Sequence, residues 1–296
     1  MIKIRFLGTS GSTPTRSRAL PSVLIEYNGS SILLDCGEGT QLQMLRFNEN
    51  LFKIRDIFIT HEHGDHLFGL PGIIRTLAIN NINKGVNIYI PKESYEKIDR
   101  LLDFDANLVR YKVNIVKLKP LDIVRFDGFY VKAFKLKHSV PTLGYAFVEY
   151  DRLRFYKDKI ARYRLTKDDI IKIKSKGYVN KDNKIIKLDE VTYLKKGKKI
   201  VYATDTRPFI STVKVAKDAD LLIHESSYSS KHINLARERL HSTAAEAAKV
   251  ALRADVNKLI LFHFSARYKD IKPLLKEASS IFSNTQAAYD GLLLYI

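Results

Sequence analysis

Five short apolar segments of this chain end at a histidine or an aspartate, and this recurrence constrains the fold more than any other feature of the sequence. Each segment is rich in β-branched and aromatic residues, which is typical of a buried strand. Histidines that merely fill a core would not be expected to fall so regularly at strand ends. Loops at such ends commonly carry function on a rigid scaffold, so the pattern predicts a site assembled there. The residues concerned are His61, His138, Asp205, His224 with Glu225, and His263.

The densest of these strand ends reads His61-Glu62-His63-Gly64-Asp65-His66 and holds three of the eight histidines. Imidazole and carboxylate are the ligand types that suit zinc and similar divalent metals. Gly64 allows a sharp turn, and the spacing differs from the HExxH pattern that places two ligands on one helix face. A histidine-rich surface turn is the alternative, but it leaves the apolar strand before the cluster unexplained. We therefore expect a tight loop around one or two metal ions.

The other strand ends raise the number of candidate ligands to seven. A catalytic zinc takes three protein ligands and a water molecule. Seven ligands with one shared carboxylate suit two metal ions about 3.5–4 Å apart, the arrangement used for in-line displacement at phosphorus. The seven candidates are His61, His63, Asp65, His66, His138, Asp205 and His263.

Further polar residues lie near the expected site, and their roles stay open at this point. Asp35 follows a predicted strand and is suited to orient a metal-bound histidine. His241 precedes a helix N-terminus, where a histidine is able to protonate a leaving oxygen; a plain surface histidine is the alternative. Arg16 and Arg18, in the loop after the first strand, suit either bidentate phosphate contact or a solvated loop.

The charge of the chain points to a polyanionic partner. It contains 50 lysines and arginines against 32 acidic residues, a net charge of +18. Nucleic acid is the simplest such partner, because a thermophile composition would raise glutamate together with lysine. Residues 150–199 hold 17 of the basic and 7 of the acidic residues, which gives this segment +10. We interpret it as a basic arm inserted into one domain that spans residues 1–296.

Other features bear on location and local structure. Cys36 is the one cysteine, residues 2–7 read as a strand, and no apolar run approaches the ~18 residues of a membrane span. We therefore expect a cytoplasmic protein with no membrane partner. Asn28-Gly29 and residues 181–183 predict hairpin turns. Apolar residues at 129, 131 and 133 and then at 134 and 136 indicate a phase slip, for which a β-bulge is one cause.

Taken in order, these motifs resemble the metallo-β-lactamase superfamily and, within it, the tRNase Z family. The superfamily hallmark HxHxDH corresponds to residues 61–66, and the run from Asp35 to Gln41 (DCGEGTQ) is similar to an early tRNase Z motif. The resemblance spans nearly the whole chain outside residues 150–199. The later motifs that match are His138 with Pro141-Thr142 and Gly144-Tyr145, Thr204-Asp205-Thr206-Arg207-Pro208, His224-Glu225-Ser226-Ser227-Tyr228, His241-Ser242-Thr243, and His263-Phe264-Ser265-Ala266-Arg267-Tyr268.

The resemblance implies a fold, a metal centre and a reaction. The fold would be α/β (α+β), a four-layer αββα metallo-β-lactamase sandwich with a basic inserted arm, usually as a homodimer. The reaction would remove the 3′ trailer from precursor tRNA and leave a 3′-hydroxyl. Asp65 would act as general base, and Glu225 with His241 would donate a proton to the leaving 3′ oxygen. The two Zn²⁺ ions of each chain would be held by His61, His63 and His138, and by Asp65, His66 and His263, with Asp205 bridging.

The sequence departs from the family pattern at two places. The loop at residues 14–19 reads Pro-Thr-Arg-Ser-Arg-Ala where the family usually has Pro-x-Lys-x-Arg-Asn, so Arg16 and Arg18 keep the charges and Ala19 replaces the asparagine. Residues 150–199 stand where the family has a tRNA-binding arm but lack its Gly-Pro-rich tip. The alternative functions are a hydrolase of a small phosphodiester or thioester, a DNA nuclease, and a nucleic-acid-binding protein without activity.

Overall fold

The computed structural model describes residues 1–80, 85–103, 109 and 111–296. Its strands are β1 (Lys3–Gly8), β2 (Ser10–Gly11), β3 (Ser22–Tyr27), β4 (Ser30–Leu34), β5 (Asp56–Phe58), β6 (Val86–Pro91), β7 (Val113–Leu118), β8 (Ile123–Phe126), β9 (Phe129–Lys135), β10 (Leu143–Glu149), β11 (Arg152–Phe155), β12 (Tyr178–Lys181), β13 (Lys184–Lys187), β14 (Thr192–Lys195), β15 (Lys199–Ala203), β16 (Leu221–Glu225), β17 (Leu259–Phe262), β18 (Phe264–Ser265), β19 (Thr285–Ala287) and β20 (Leu293–Tyr295). Its α-helices are α1 (Thr40–Arg46), α2 (Gly64–Leu67), α3 (Leu70–Ile79), α4 (Tyr95–Asp103), α5 (Lys157–Arg162), α6 (Lys167–Lys176), α7 (Leu188–Val191), α8 (Ile210–Ala216), α9 (Ile233–Glu238), α10 (Ala244–Ala254) and α11 (Lys272–Ser279).

Two large sheets dominate the part of the chain that the structure describes. The first has seven strands in the order β20-β1-β3-β4-β5-β6-β7, and the second has seven in the order β19-β17-β16-β15-β10-β9-β8. Strands β4 to β7 are mutually parallel, and so are β15, β16, β17 and β19. Parallel strands end at the same edge of a sheet, which is why polar residues distant in sequence meet at one place.

The layers follow from which faces are buried. The inner faces of the two sheets share one apolar core, in which Phe6 and Phe58 of the first sheet join Tyr145 and Phe262 of the second. Helices α1, α3 and α4 cover the outer face of the first sheet, and α8, α10 and α11 cover that of the second. The arrangement is the four-layer αββα sandwich that the sequence predicted, held mainly by burial of apolar surface.

Both predicted hairpin turns are confirmed. Asn28 and Gly29 both have positive φ, 53° and 82°, which is the turn geometry that matches the twist of the β3–β4 hairpin. Asp182 and Asn183 close the β12–β13 hairpin in the same way. Among the residues that the structure describes, no helix is both long and apolar enough to cross a membrane.

The apparent phase slip near residue 133 arises because both faces of the strand are buried there, so no β-bulge is needed to explain it. Phe129, Val131 and Ala133 of β9 face the core between the sheets. Phe134 and Leu136 face the opposite side, where the outer layer of helices covers them. Odd and even positions therefore keep their alternation, and the apparent slip arises because both faces become apolar at this end of the strand.

The chain divides into two compact units, one formed by residues 1–148 with 199–296 and the other by residues 149–198. The second unit, taken by itself, contains the β11–β14 pair, the β12–β13 hairpin and helix α6. Thr166 caps α6 through a reciprocal contact with Asp169, and the helix ends at Gly177 in the left-handed conformation. Its small core is built from Leu165, Ile173, Val179, Ile186 and Val191.

Candidate metal centre

The seven candidate ligands converge at the ends of strands from both sheets. Nitrogen and oxygen atoms of His61, His63, His138 and Asp205 lie within 4.8 Å of one another, and so do those of Asp65, His66 and His263. The segment after β5 supplies four of the seven. The ends of β9, β15 and β17 supply His138, Asp205 and His263. The structure therefore brings together all the residues that the sequence singled out as ligands.

Asp205 joins the two groups. Its Oδ1 lies 3.2 Å from His66 Nε2 and 3.1 Å from His263 Nε2. Its Oδ2 faces the other group, at 3.7 Å from His61 Nε2 and 3.8 Å from His138 Nε2. One carboxylate thus presents one oxygen to each half of the cluster, which is the position of a bridging ligand.

The Nε2 atoms of His61 and His66 face the other candidate ligands, because the Nδ1 atoms of both rings are bonded outside the cluster. Asp35 holds His66 through Nδ1 at 2.9 Å, as the sequence predicted for this carboxylate. The Thr60 hydroxyl donates to Asp35 at 2.9 Å and lies 3.0 Å from His61 Nδ1, so it accepts the proton on that nitrogen. Both imidazoles are thereby fixed with Nε2 towards the cluster, a common support of metal-bound histidine.

A second buried carboxylate repeats this arrangement from the other sheet. Glu225 holds His241 through Nδ1 at 2.8 Å. The Ser227 hydroxyl donates to Glu225 at 2.7 Å and lies 3.0 Å from His263 Nδ1, so it supports that ring as Thr60 supports His61. Each sheet therefore provides one carboxylate that holds one histidine directly and a second histidine through a hydroxyl group.

The charges of the cluster fit cations. Burial and the neighbouring His66 hold the pKa of His61 well below its ordinary value, so this ring is neutral with a free lone pair. Burial opposes the charged form of His66 as well, but Asp205, Asp65 and Asp35 outweigh it and hold the pKa of His66 well above its usual range. The carboxylates around these imidazoles supply negative charge that divalent cations would balance in place of the proton on His66, so the residues present fit two such ions.

Asp65 lies at the start of helix α2 and is held from a distant loop. The backbone N–H of Ser12 donates to its Oδ2 at 2.8 Å. The same oxygen lies 3.4 Å from His66 Nε2 and 3.6 Å from His263 Nε2. Those two histidines outweigh burial and lower the pKa of Asp65, which keeps it ionised as a ligand.

His241 and Glu225 form a buried ion pair beside the metal cluster. Burial alone would lower the pKa of His241, but Glu225 outweighs it and raises that pKa to about 9. The backbone N–H of Thr206 donates to the same Glu225 oxygen at 2.6 Å and fixes the carboxylate. His241 thus holds a proton near neutral pH, with Nε2 as its second donor. His224, the other residue at this strand end, is fully buried and stands outside the donor groups.

Gly11 is a functional position that sequence reasoning missed. A Cβ atom at residue 11 would lie 2.5 Å from His263 Cε1 and 2.6 Å from His263 Nδ1. Gly11 is therefore the floor on which the His263 ring rests. The sequence offered no signal for it, because residues 8–14 read only as a flexible loop.

The two arginines of the same loop have different environments. Arg16 is exposed, whereas Arg18 is buried. The Arg18 guanidinium donates to the carbonyls of Tyr268 at 2.8 Å and Ser265 at 3.4 Å. Arg18 therefore connects its own loop to the loop at residues 265–268. Of the two arginines, only Arg16 is exposed to solvent.

A cavity of about 300 Å³ opens onto the cluster. Its lining includes the candidate ligands His63, Asp65, His138 and Asp205, together with His241 and its neighbours Tyr228, Glu238 and Arg239. The Arg267 guanidinium lies 5.0 Å from the centre of the Tyr228 ring. The opening combines acid–base groups, metal donors and an aromatic ring flanked by arginine, a combination suited to a phosphodiester of a nucleic acid.

Comparison with known proteins gives full-length matches. The family model described as Anti-Pycsar protein Apyc1 matches residues 2–289. A ribonuclease Z of Methanosarcina acetivorans is 37% identical over 300 residues, which cover 100% of this chain and 98% of the relative. A ribonuclease Z of Archaeoglobus fulgidus is 39% identical over 302 residues with the same coverage, 100% and 98%.

Solved structures agree with these matches. The short form of human tRNase Z superimposes with a TM-score of 0.73 at 27% identity, covering 99% of both chains. The metallo-β-lactamase fold protein YhfI of Bacillus subtilis gives the same TM-score of 0.73 at 18% identity, covering 99% of this chain and 98% of that one. The second likeness shows the fold alone.

Proposed function

We infer that this chain, which belongs to the ribonuclease Z family and also falls within the family model described as Anti-Pycsar protein Apyc1, is a metal-dependent endoribonuclease that processes tRNA 3′ ends. Its fold is the metallo-β-lactamase sandwich described above. The observation that carries the assignment is the Glu225–His241 ion pair beside seven convergent metal donors, in a chain that matches relatives named ribonuclease Z over their full length.

We propose that the metals are two zinc ions. His61, His63 and His138 would hold one ion and Asp65, His66 and His263 the other, with Asp205 between them; the donor groupings and the two faces of Asp205 support this division. When bound, such ions lower the pKa of an attacking water and neutralise charge on the scissile phosphate.

The side chains have separate tasks in the proposed reaction. Asp65, ionised and held by the Ser12 N–H, takes the proton of the attacking water. His241 donates its Nε2 proton to the departing 3′ oxygen, while Glu225 stabilises the charged imidazole through Nδ1. The product would be a tRNA with a 3′-hydroxyl.

The substrate and assembly are part of the same proposal. Precursor tRNA is a polyanion, and the net charge of +18 supports its binding. The arginine at position 16 would contact phosphate because it is exposed, and the basic unit of residues 149–198 would add further contacts. A cytoplasmic location accompanies a tRNA substrate.

A homodimer is also proposed. Leu42 and Leu45 of helix α1 are 69% and 63% exposed, and Phe68, after helix α2, is 58% exposed. A surface patch of large apolar side chains is typical of an interface, and these three residues would belong to such a patch. Light scattering coupled to gel filtration would give twice the mass of one chain for the wild type, and Leu42→Asp with Leu45→Asp would reduce it to one.

The proposed function is tested by cleavage of a precursor tRNA with a 3′ extension, with and without a chelator, mapping the new 3′ end. We expect a single cut near the mature end that the chelator abolishes and that zinc restores. Asp65→Ala should eliminate the cut, whereas Asp99→Ala, at an exposed position on helix α4, should not affect it. Hydrolysis of bis(p-nitrophenyl) phosphate without any tRNA cleavage would instead favour a small phosphodiester as substrate.

A further inference from the structure

A second depression adjoins the metal centre and has no role in the reaction described so far. This groove of about 570 Å³ shares His138 with the catalytic cavity. Lys135 and Lys137 contribute two positive charges to its lining and Glu93 one negative charge, and Phe209, Val140 and Pro141 contribute apolar surface. Its volume lies in the range of specific ligand sites.

Backbone hydrogen bonds hold the groove in shape. The N–H of Lys137 donates to Thr206 Oγ1 at 3.0 Å, and the N–H of Arg207 donates to the Lys137 carbonyl at 2.9 Å. The N–H of Leu136 donates to the Thr142 carbonyl at 3.0 Å. The segment that carries the two lysines is therefore fixed to the loop that carries Phe209, so the groove does not depend on a ligand to form.

The position of the proton donor gives the groove a direction. In the proposed reaction His241 protonates the 3′ oxygen of the upstream nucleotide, so that nucleotide lies on the side of Tyr228 and Arg239. A strand whose phosphate lies at the metal centre must leave it on another side. His138 forms the boundary between the two depressions, and the groove begins beyond it.

The chemistry of the groove suits single-stranded RNA. Lys135 and Lys137 are exposed, and neither has an ion-pair partner among the residues that the structure describes. Phe209 is half-buried, which leaves part of its ring available to stack on a base. Lysines that follow a backbone together with an aromatic ring are the usual means of binding single strands without sequence preference.

We propose that this groove binds the first nucleotides of the 3′ trailer, with Phe209 stacking on a base and Lys135 and Lys137 contacting phosphates. The proposal rests on the proposed function, because it assigns the downstream part of the same substrate. It makes these three residues positioning groups for the leaving strand, separate from the groups that bind the body of the tRNA.

A photo-crosslinking experiment tests the placement without requiring cleavage. Precursor tRNA carrying 4-thiouridine at the first trailer position is bound to the full chain in the presence of chelator, irradiated and mapped by mass spectrometry. A crosslink to residues 135–141 or to Phe209 supports the proposal, and thiouridine at the last tRNA nucleotide should instead reach Tyr228 or Arg239. A trailer crosslink at Tyr228 or Arg239, or none in the groove, overturns the proposal.

Variants give a second, quantitative test. Phe209→Ala should weaken binding of trailer-bearing tRNA about tenfold relative to mature tRNA, since stacking is the contact removed. For the double variant Lys135→Ala with Lys137→Ala, the slope of the logarithm of the binding constant against the logarithm of salt concentration should become shallower by about 1.4. Each lost phosphate contact with a single strand accounts for about 0.7 of this change. Lys132→Ala is the matched control, because this lysine lies on the same strand but lines a different cavity. Equal losses for trailer-bearing and mature tRNA would refute the groove assignment.

The two proposals fail in distinguishable ways. Absence of cleavage by the wild type in the metal-loaded assay contradicts the proposed function. Normal cleavage combined with a trailer crosslink outside the groove contradicts only the further inference.

Discussion

Replacing Gly11 by alanine should weaken metal binding at the Asp65, His66 and His263 group by about 10- to 100-fold, while the protein stays folded. The new methyl group would occupy the floor beneath the His263 imidazole. Its Cβ would lie 2.5 Å from Cε1, 2.6 Å from Nδ1 and 3.0 Å from Nε2 of that ring. Ordinary contacts between such atoms begin near 3.5 Å, so the ring must move by roughly 1 Å.

Neither the backbone at Gly11 nor the His263 ring is free to move away from the other. Gly11 pairs with Ser265 and Ser10 with Phe264 in the two-stranded sheet β2–β18, which holds the backbone of the loop close to His263. His263 is 1% exposed, and a displaced ring loses its 3.0 Å contact with the Ser227 hydroxyl. Loss of such a supporting contact typically costs 10- to 100-fold in metal affinity, equivalent to about 1.4–2.7 kcal/mol.

The assay is a zinc titration against a competing chelator, read as occupancy per chain. We expect the chelator to remove one of the two zinc equivalents from Gly11→Ala at a lower concentration than it needs for the other. The circular dichroism spectrum should be unchanged. Thr13→Ala is the control, because it removes an exposed side chain two residues away without approaching the ring. Zinc affinity within twofold of the wild type in folded Gly11→Ala would refute the reasoning, because the ring would then have accommodated the methyl group without loss.

Three further predictions concern acid–base chemistry, ligand support and stability. His241→Ala should slow tRNA cleavage by about 10²–10⁴-fold in rate assays while zinc content stays at the wild-type level; loss of zinc would instead make this residue a ligand. Ser227→Ala should lower zinc affinity about tenfold in the same chelator titration, because His263 loses its hydroxyl support, and unchanged affinity would contradict this role. Glu49→Gln should reduce the free energy of unfolding at pH 7 by about 1–2 kcal/mol in urea denaturation, because Glu49 accepts from Lys3 and Arg5. Those contacts outweigh burial and lower the pKa of Glu49 below its ordinary 4.5, so the difference between wild type and variant is fully present above pH 4.5 and should be lost as pH falls through the lowered pKa of the folded state; a difference that does not shrink with falling pH would contradict the ionic origin.

The convergence of the seven candidate ligands was predictable because their residue types and positions are both local signals. An apolar segment that ends at a histidine or an aspartate predicts a buried strand with a polar residue at its end. His61, Asp205 and His263 follow this pattern. Parallel pairing then brings those ends together, as the fold shows. The role of Asp35 as a support for one of the histidines was predicted by the same logic, since Asp35 also follows a strand, and the structure identifies its partner as His66.

Supporting residues were less visible. Thr60 and Ser227 connect the buried carboxylates to His61 and His263, yet serine and threonine are too common for their presence to indicate such a contact. Gly11 is necessary only because His263, far away in sequence, comes to rest on it. Such requirements arise from packing between distant segments and leave no trace in local patterning.

The arginine loop shows the same limit from another side. In sequence, Arg16 and Arg18 are equivalent charges separated by one serine. The structure distinguishes them, because carbonyl groups at residues 265 and 268 accept from Arg18 and leave Arg16 exposed. The second unit, at residues 149–198, owes its core to apolar positions that the excess of lysine obscured in the sequence.

Because the donor groups come from both sheets, bound ions would cross-link the two sheets. Four candidate donors follow β5 of the first sheet, and three follow β9, β15 and β17 of the second. Bound ions would therefore join two sheets that otherwise pack together through apolar contacts. Ions that bind only the native state add stability according to their excess over the dissociation constant, about 2.7 kcal/mol at a hundredfold excess. Metal starvation would therefore shorten the life of the protein at the same time as it silenced the enzyme, and cellular abundance would follow metal supply.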